Sequence, residues 1–153
     1  MIRKKKIKKR PAHKKFPPPL KIPRGKEKVK KIEEEYISWH LRILDKNGDW
    51  SWRGIDEKTI WEDIHSKLSE LEKKTWNEIL IKEKYRNHLI LISKICPRAQ
   101  ERLRKIKQDD IDELVSLRLT GKKRVWGIKE RNILKVLWWD PYHTVCPSIK
   151  SYT

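Results

Sequence analysis

Glycine is scarce in this 153-residue chain, with five copies in all. None falls in a phosphate-cradling loop, a dinucleotide-binding pattern or a catalytic-serine elbow, so the enzyme classes that depend on those motifs have no foothold here. Cysteine is scarcer still. Cys96 and Cys146 are too few for a disulfide framework, and they form no paired-cysteine metal motif. His143-Thr-Val-Cys146 offers two ligands where a structural zinc takes about four, so neither a metal nor another cofactor is expected. No apolar run approaches the roughly 18 residues of a membrane-spanning helix. The N-terminus is basic but lacks the apolar stretch and small-residue cleavage site of a secretory leader. A reducing, cytoplasmic setting is the expectation. Core material is thin, at 37% hydrophobic residues against 39% charged.

What the chain has in plenty is positive charge. Lys and Arg number 39 against 21 Asp and Glu, a formal +18. The excess sits at one end: residues 1–31 hold fifteen of the basic residues, the single acid Glu27 and five of the eight prolines, a net +14. The rest carries 24 basic and 20 acidic groups, only +4. Like charges repel and prolines block both helix and ladder, so residues 1–31 read as a disordered basic tail. Such a polycation gains affinity for RNA or the ribosome by releasing condensed counterions. Residues 32–153 then form a single domain.

Within that domain, residues 36–44 (YISWHLRIL) read as a strand, and Asn47-Gly48 turns the chain into a short return strand over 50–53. Asp56 caps a helix running to about Lys74, with Ile60, Trp61, Ile64, Leu68 and Leu71 on its apolar face. Thr75 opens a second helix with capping-box spacing to Glu78. Residues 88–93 (HLILIS) make a short apolar strand. Pro97 starts a third helix, on which Ala99, Leu103 and Ile106 face the core while Arg98, Arg102 and Lys105 form a positive stripe. Three strands follow over 114–119, 124–128 and 132–139, joined by short turns. Short turns force antiparallel neighbours. The expected fold is α+β: an antiparallel sheet ending in a three-stranded meander, with helices packed on one side. Trp61, Ile64, Leu68, Leu103 and Leu137 are the expected core, and Trp138 and Trp139 should point to opposite faces.

The functional candidates gather near the last strands. Arg118, Lys122, Lys123 and Arg124 surround one turn, and Tyr142 and His143 follow the final strand. Cleaving RNA through attack by a 2′-hydroxyl needs a proton shuttle and cations around the phosphorane. Arg118, Lys123 and Arg124 could supply the cations, and His143 or Tyr142 the shuttle, since imidazole titrates near 6.5. Arg98, Arg102, Lys105, Lys122 and Lys123 are the candidate nucleic-acid contacts.

The run from Leu114 to Cys146, LVSLRLTGKKRVWGIKERNILKVLWWDPYHTVC, resembles the terminal strands of the RelE/ParE toxin superfamily. It has a strand with an LRL core, an arginine-bearing strand and an apolar strand ending in a His or Tyr segment. The resemblance implies a toxin of a toxin–antitoxin pair, with an acidic antitoxin as partner. Many such toxins are endoribonucleases acting on mRNA at the ribosome. Arg118, Arg124, Tyr142 and His143 match the family's basic and terminal catalytic positions. The chain departs from the family in its length, its basic tail, its Trp-rich hairpin and its WWDPYH ending. The expected function is therefore a metal-independent endoribonuclease. The alternatives are a non-enzymatic RNA- or ribosome-binding protein and a protein-interaction module.

Overall fold

The computed structural model describes residues 32–147. The expected basic tail, 1–31, lies outside the described residues, as do residues 148–153 of the expected domain. The fold is α+β, built on a five-stranded sheet. Its strands are β1 (Ser38–His40), β2 (His88–Leu91), β3 (Glu113–Arg118), β4 (Arg124–Glu130) and β5 (Ile133–Asp140), in the spatial order β1-β5-β4-β3-β2. β2, β3, β4 and β5 pair antiparallel in turn. At the β3–β4 turn the Lys123 N–H donates to Thr120 O and Gly121 takes φ +54°, a conformation glycine adopts without strain.

Two expectations about the sheet are corrected. It is mixed, because β1 runs parallel to β5 in the register Ser38↔Ile133. β4 occupies one side of β5, so a strand arriving early in the chain can add only at the far edge. The sheet is also covered on both faces. On one face, helix α2 (Pro97–Lys105) sets Ala99 and Leu103 against Leu114, Trp126, Leu137 and Trp138. On the other, Val115, Leu117, Leu134 and Val136 meet Ile64, Leu71, Trp76 and Ile79. These last come from a π-helical stretch, Thr59–His65, that continues as α1 (Ser66–Leu71), and from a second π-helical stretch, Glu78–Lys82, with Trp76 just before it. β5 is apolar on both sides, so both sides need cover.

A bulge in β5 makes that double cover possible. Trp126 faces Trp138 while Gly127 faces Val136, which leaves Leu137 as the extra residue. Leu137 and Trp138 therefore both turn toward α2, and Trp139 returns to the opposite face beside Val136. The Leu137 carbonyl accepts hydrogen bonds from the Asp45 N–H (2.9 Å) and the Trp52 indole (3.0 Å).

The Trp-rich segment departs from the expected hairpin. Only Ser38–His40 is strand, and residues 50–53 are not. The returning chain packs on β5 instead: the Trp50 and Trp138 ring centres lie 5.1 Å apart, and those of Trp52 and Trp139 6.0 Å. Asp56 does cap the following helical stretch, accepting from the Thr59 N–H at 3.1 Å. Trp61 is exposed, however, and Ile60 largely so, while Leu68 is only half-buried. A π-helix bonds i to i+5, and its wider turn carries Trp61 off the face that α-helical spacing assigns it.

Candidate functional site

A cleft of about 590 Å³ opens on the α2 side of the sheet, and four segments build it. β2 gives His88 and Ile90, β3 Ser116, β4 Arg124, and the segment after β5 His143 and Cys146; Lys94 stands at the rim. The strand register explains the grouping. His88 faces Ser116 across β2–β3, and Arg118 faces Arg124 across β3–β4, two residues along on the same face.

That arginine pair is unusual, because like charges directly opposite on neighbouring strands repel. Arg118 is exposed, and its Nε donates to the Gly121 carbonyl at 2.9 Å. Arg124 is half-buried; its Nη1 reaches the Arg86 carbonyl at 3.4 Å, and its buried Nε has no partner among the described residues. Burial and then the neighbouring Arg118 guanidinium lower the proton affinity of Arg124, partly offset by Asp140 and Cys146. Among the described residues, no carboxylate lines the cleft.

His143 is held from beneath by Asp140, which is fully buried. One carboxylate oxygen accepts from the Thr144 N–H (2.9 Å) and hydroxyl (3.3 Å). The other accepts from the Val145 N–H (3.1 Å) and the Trp126 indole (3.1 Å). This clamp bends the chain so that His143 sits at φ +58°. Burial pushes the His143 imidazole below its ordinary value; Arg124, Arg118 and Lys122 push it further, and Asp140 opposes them. His88 is lowered too, by burial and then by Arg124. Burial raises the Cys146 thiol, and the nearby Cys96 adds to the rise.

The sequence candidates divide. Arg124 and His143 share the cleft. Arg118 lines a neighbouring hollow with Glu70 and Glu83, yet it stands opposite Arg124 and, with Lys122, is close enough to act on His143. Tyr142 does not join them. It is exposed and lines a separate hollow of about 340 Å³ with Asp49, Asp56, Lys123 and Trp139. Lys123 is ion-paired with Asp63. The positive stripe on α2 borders a wider groove of about 690 Å³, but acids neutralise most of it. Arg98 pairs with Asp49 and Arg102 with Asp45, whereas Lys105 is exposed and has no ion pair among the described residues.

Sequence reasoning missed His88 and Lys94. His88 opens an alternating stretch in which His88 and Ile90 are the more sheltered residues and Leu89 and Leu91 the exposed ones. Leu89, Ile90 and Leu91 are all apolar, so the sequence itself carries no sign of that alternation. Among the described residues, no group of three or more His, Cys, Asp or Glu is arranged to hold a metal ion. None of their helices is long and apolar enough to cross a membrane.

Comparison with protein families, with curated proteins and with solved structures finds no match for this chain.

Proposed function

We propose that this protein binds RNA and cleaves it in the cleft by attack of a 2′-hydroxyl on the adjacent phosphate, without a metal. The observation that carries this reading is the Arg118–Arg124 pair, set opposite each other on neighbouring strands, with Arg124 and His143 in a cleft that no carboxylate of the described residues lines. Two guanidiniums whose nearby acid, Asp140, is buried and taken up by Trp126, Thr144 and Val145 suit a phosphodiester that gains charge on the way to a phosphorane. His143 supplies a group that can exchange a proton near neutral pH. The resemblance of residues 114–146 to RelE/ParE toxins supports the same reading, with an acidic antitoxin as the partner, mRNA at the ribosome as the substrate and the cytoplasm as the setting. Tyr142 has no place in this version of the site.

The test is incubation of the full chain with single-stranded RNA in the presence of EDTA, followed by mapping of the new ends. Ends bearing a 2′,3′-cyclic phosphate and a 5′-hydroxyl are expected. Arg118→Ala and His143→Ala should each abolish them while the protein stays folded. Cleavage that EDTA stops overturns the metal-free reading. Salt-sensitive binding that produces no new ends, on free RNA or on ribosome-bound mRNA, makes the chain an RNA- or ribosome-binding protein instead.

A further inference from the structure

The cleft contains a second imidazole with the setting of a functional group. His88 is the first residue of β2 and faces Ser116 on β3. The residue before it, Asn87, is almost wholly buried and ties β2 to its surroundings. Its side-chain N–H donates to the Ile79 carbonyl at 3.1 Å, and its side-chain oxygen accepts from the Arg118 N–H at 3.2 Å. His88 is thus fixed to the same stretch of β3 that carries Arg118. Its side chain forms the wall of the cleft that also holds Arg124 and His143.

We infer that His88 is a further catalytic residue, the general base that takes the 2′-hydroxyl proton, with His143 as the general acid. This deepens the RNA-cleavage reading and rests on it. As the proton moves from the 2′-oxygen to the His88 imidazole, the 2′-oxygen–phosphorus bond forms. The bond from phosphorus to the 5′-oxygen breaks, and the departing oxygen takes its proton from the His143 imidazolium. The products are a 2′,3′-cyclic phosphate and a 5′-hydroxyl, with one proton moved from His143 to His88 overall. Solvent returns it between turnovers.

The roles follow from the charges around each ring. Sharing the cleft with His88 are Arg124, Lys94, Cys146 and His143, with no carboxylate of the described residues in the lining. A ring in that company is neutral and free to accept a proton. His143 feels Arg124, Arg118 and Lys122, but also the buried Asp140 carboxylate, which favours its protonated form. Both rings titrate below the ordinary 6.5, so kcat/KM, which reports the free enzyme, should be bell-shaped with its optimum on the acid side of 6.5.

The test uses the full-length protein and two substrates, the dinucleotide uridylyl-(3′→5′)-adenosine and uridine 3′-(4-nitrophenyl phosphate). 4-Nitrophenolate leaves without a proton, so the second substrate needs the base and not the acid. His88→Gln should lose about 10²–10⁴-fold in rate on both substrates. His143→Gln should lose a similar factor on the dinucleotide and little on the nitrophenyl ester. Matching urea midpoints for the variants and the parent show that folding is not the cause. If His88→Gln stays within about threefold of the parent on both substrates, His88 is only a wall of the cleft, although RNA cleavage stands. If it loses the dinucleotide alone, His88 is not the base. A parent protein inert on both substrates and on ribosome-bound mRNA overturns the cleavage reading, and the role of His88 with it.

Discussion

Asp45 is the residue whose loss should cost the fold most clearly. It is 5% exposed, yet its carboxylate accepts four hydrogen bonds. Two come from the Arg102 guanidinium, at 2.8 and 2.7 Å, one from the buried Trp138 indole at 3.0 Å, and one from the Asn47 N–H at 3.1 Å. Asp45→Ala orphans the indole in the core, a loss of about 1–3 kcal/mol. It also leaves Arg102 without its partner. Breaking a buried pair costs about 3–5 kcal/mol, but the Arg102 side chain is 21% exposed and can turn partly to water. A total of about 3 kcal/mol is expected, a large part of the roughly 5–15 kcal/mol that holds a domain together. With a urea m-value of about 1–3 kcal/mol/M, the midpoint should fall by roughly 1–3 M.

The pH dependence gives a second, independent reading. Burial alone raises the Asp45 carboxyl, but hydrogen bonds from Arg102, Asn47 and Trp138 outweigh it and hold it below 3.8. A carboxyl depressed in the folded state contributes stability above its unfolded value, and that contribution is lost as pH falls through the folded one. Asp45→Asn should therefore be well below the parent in urea midpoint at neutral pH, and the gap should close below pH 3.8. A cost under about 1 kcal/mol for Asp45→Ala, or a gap unchanged at acid pH, refutes the reasoning.

Two further outcomes follow from other parts of the molecule. Gly127→Ala should destabilise by about 2 kcal/mol or more, read by thermal melting, because the new Cβ would stand 2.6 Å from the Lys135 carbonyl, a backbone atom that cannot move alone. Deleting residues 1–31 removes fifteen basic residues and should weaken RNA binding and flatten its dependence on salt, with little change in melting temperature. A large loss of stability on deletion would mean that the segment docks on the domain.

How much of this was legible in the sequence depended on the range of the interaction. β3, β4 and β5 lie within two residues of the expected strands because their β-branched and aromatic runs are bounded by turn residues such as Gly121. Pro97 marked the start of α2 for a similarly local reason, its fixed φ and missing N–H. The parallel addition of β1 could not be read locally, since Ser38 and Ile133 are far apart in the chain. The site followed the same rule. Arg124 and His143 were legible as chemistry, but His88 became a candidate only once the β2–β3 register brought it to the cleft. Arg102 and Lys123 looked like free cations because their acids, Asp45 and Asp63, are distant in sequence.

Asp140 joins the fold to the chemistry, and the sequence presents it only as the residue that ends a strand. It is buried at the end of β5, opposite Arg124 across β4, and both of its oxygens act solely as acceptors. Asp140→Asn keeps the volume but turns one acceptor into a donor. Whichever way the amide is placed, its N–H faces donors: Thr144 N–H on one side, or the Val145 N–H and Trp126 indole on the other. The lost bonds and facing donors should cost about 2–3 kcal/mol. The segment that holds His143 at φ +58° should relax first, since that conformation is strained for a non-glycine residue and persists only where its surroundings enforce it. At a temperature where both proteins are folded, Asp140→Asn should therefore lose RNA cleavage while far-ultraviolet circular dichroism stays unchanged. Loss of the Asp140 charge alone would lower the His143 imidazole further. A titration that NMR shows moving up toward the ordinary value therefore reports the ring leaving its partly buried, arginine-flanked position, and that is the outcome expected. An Asp140→Asn protein that keeps both its cleavage rate and its depressed His143 titration would show that the clamp has no part in positioning the imidazole.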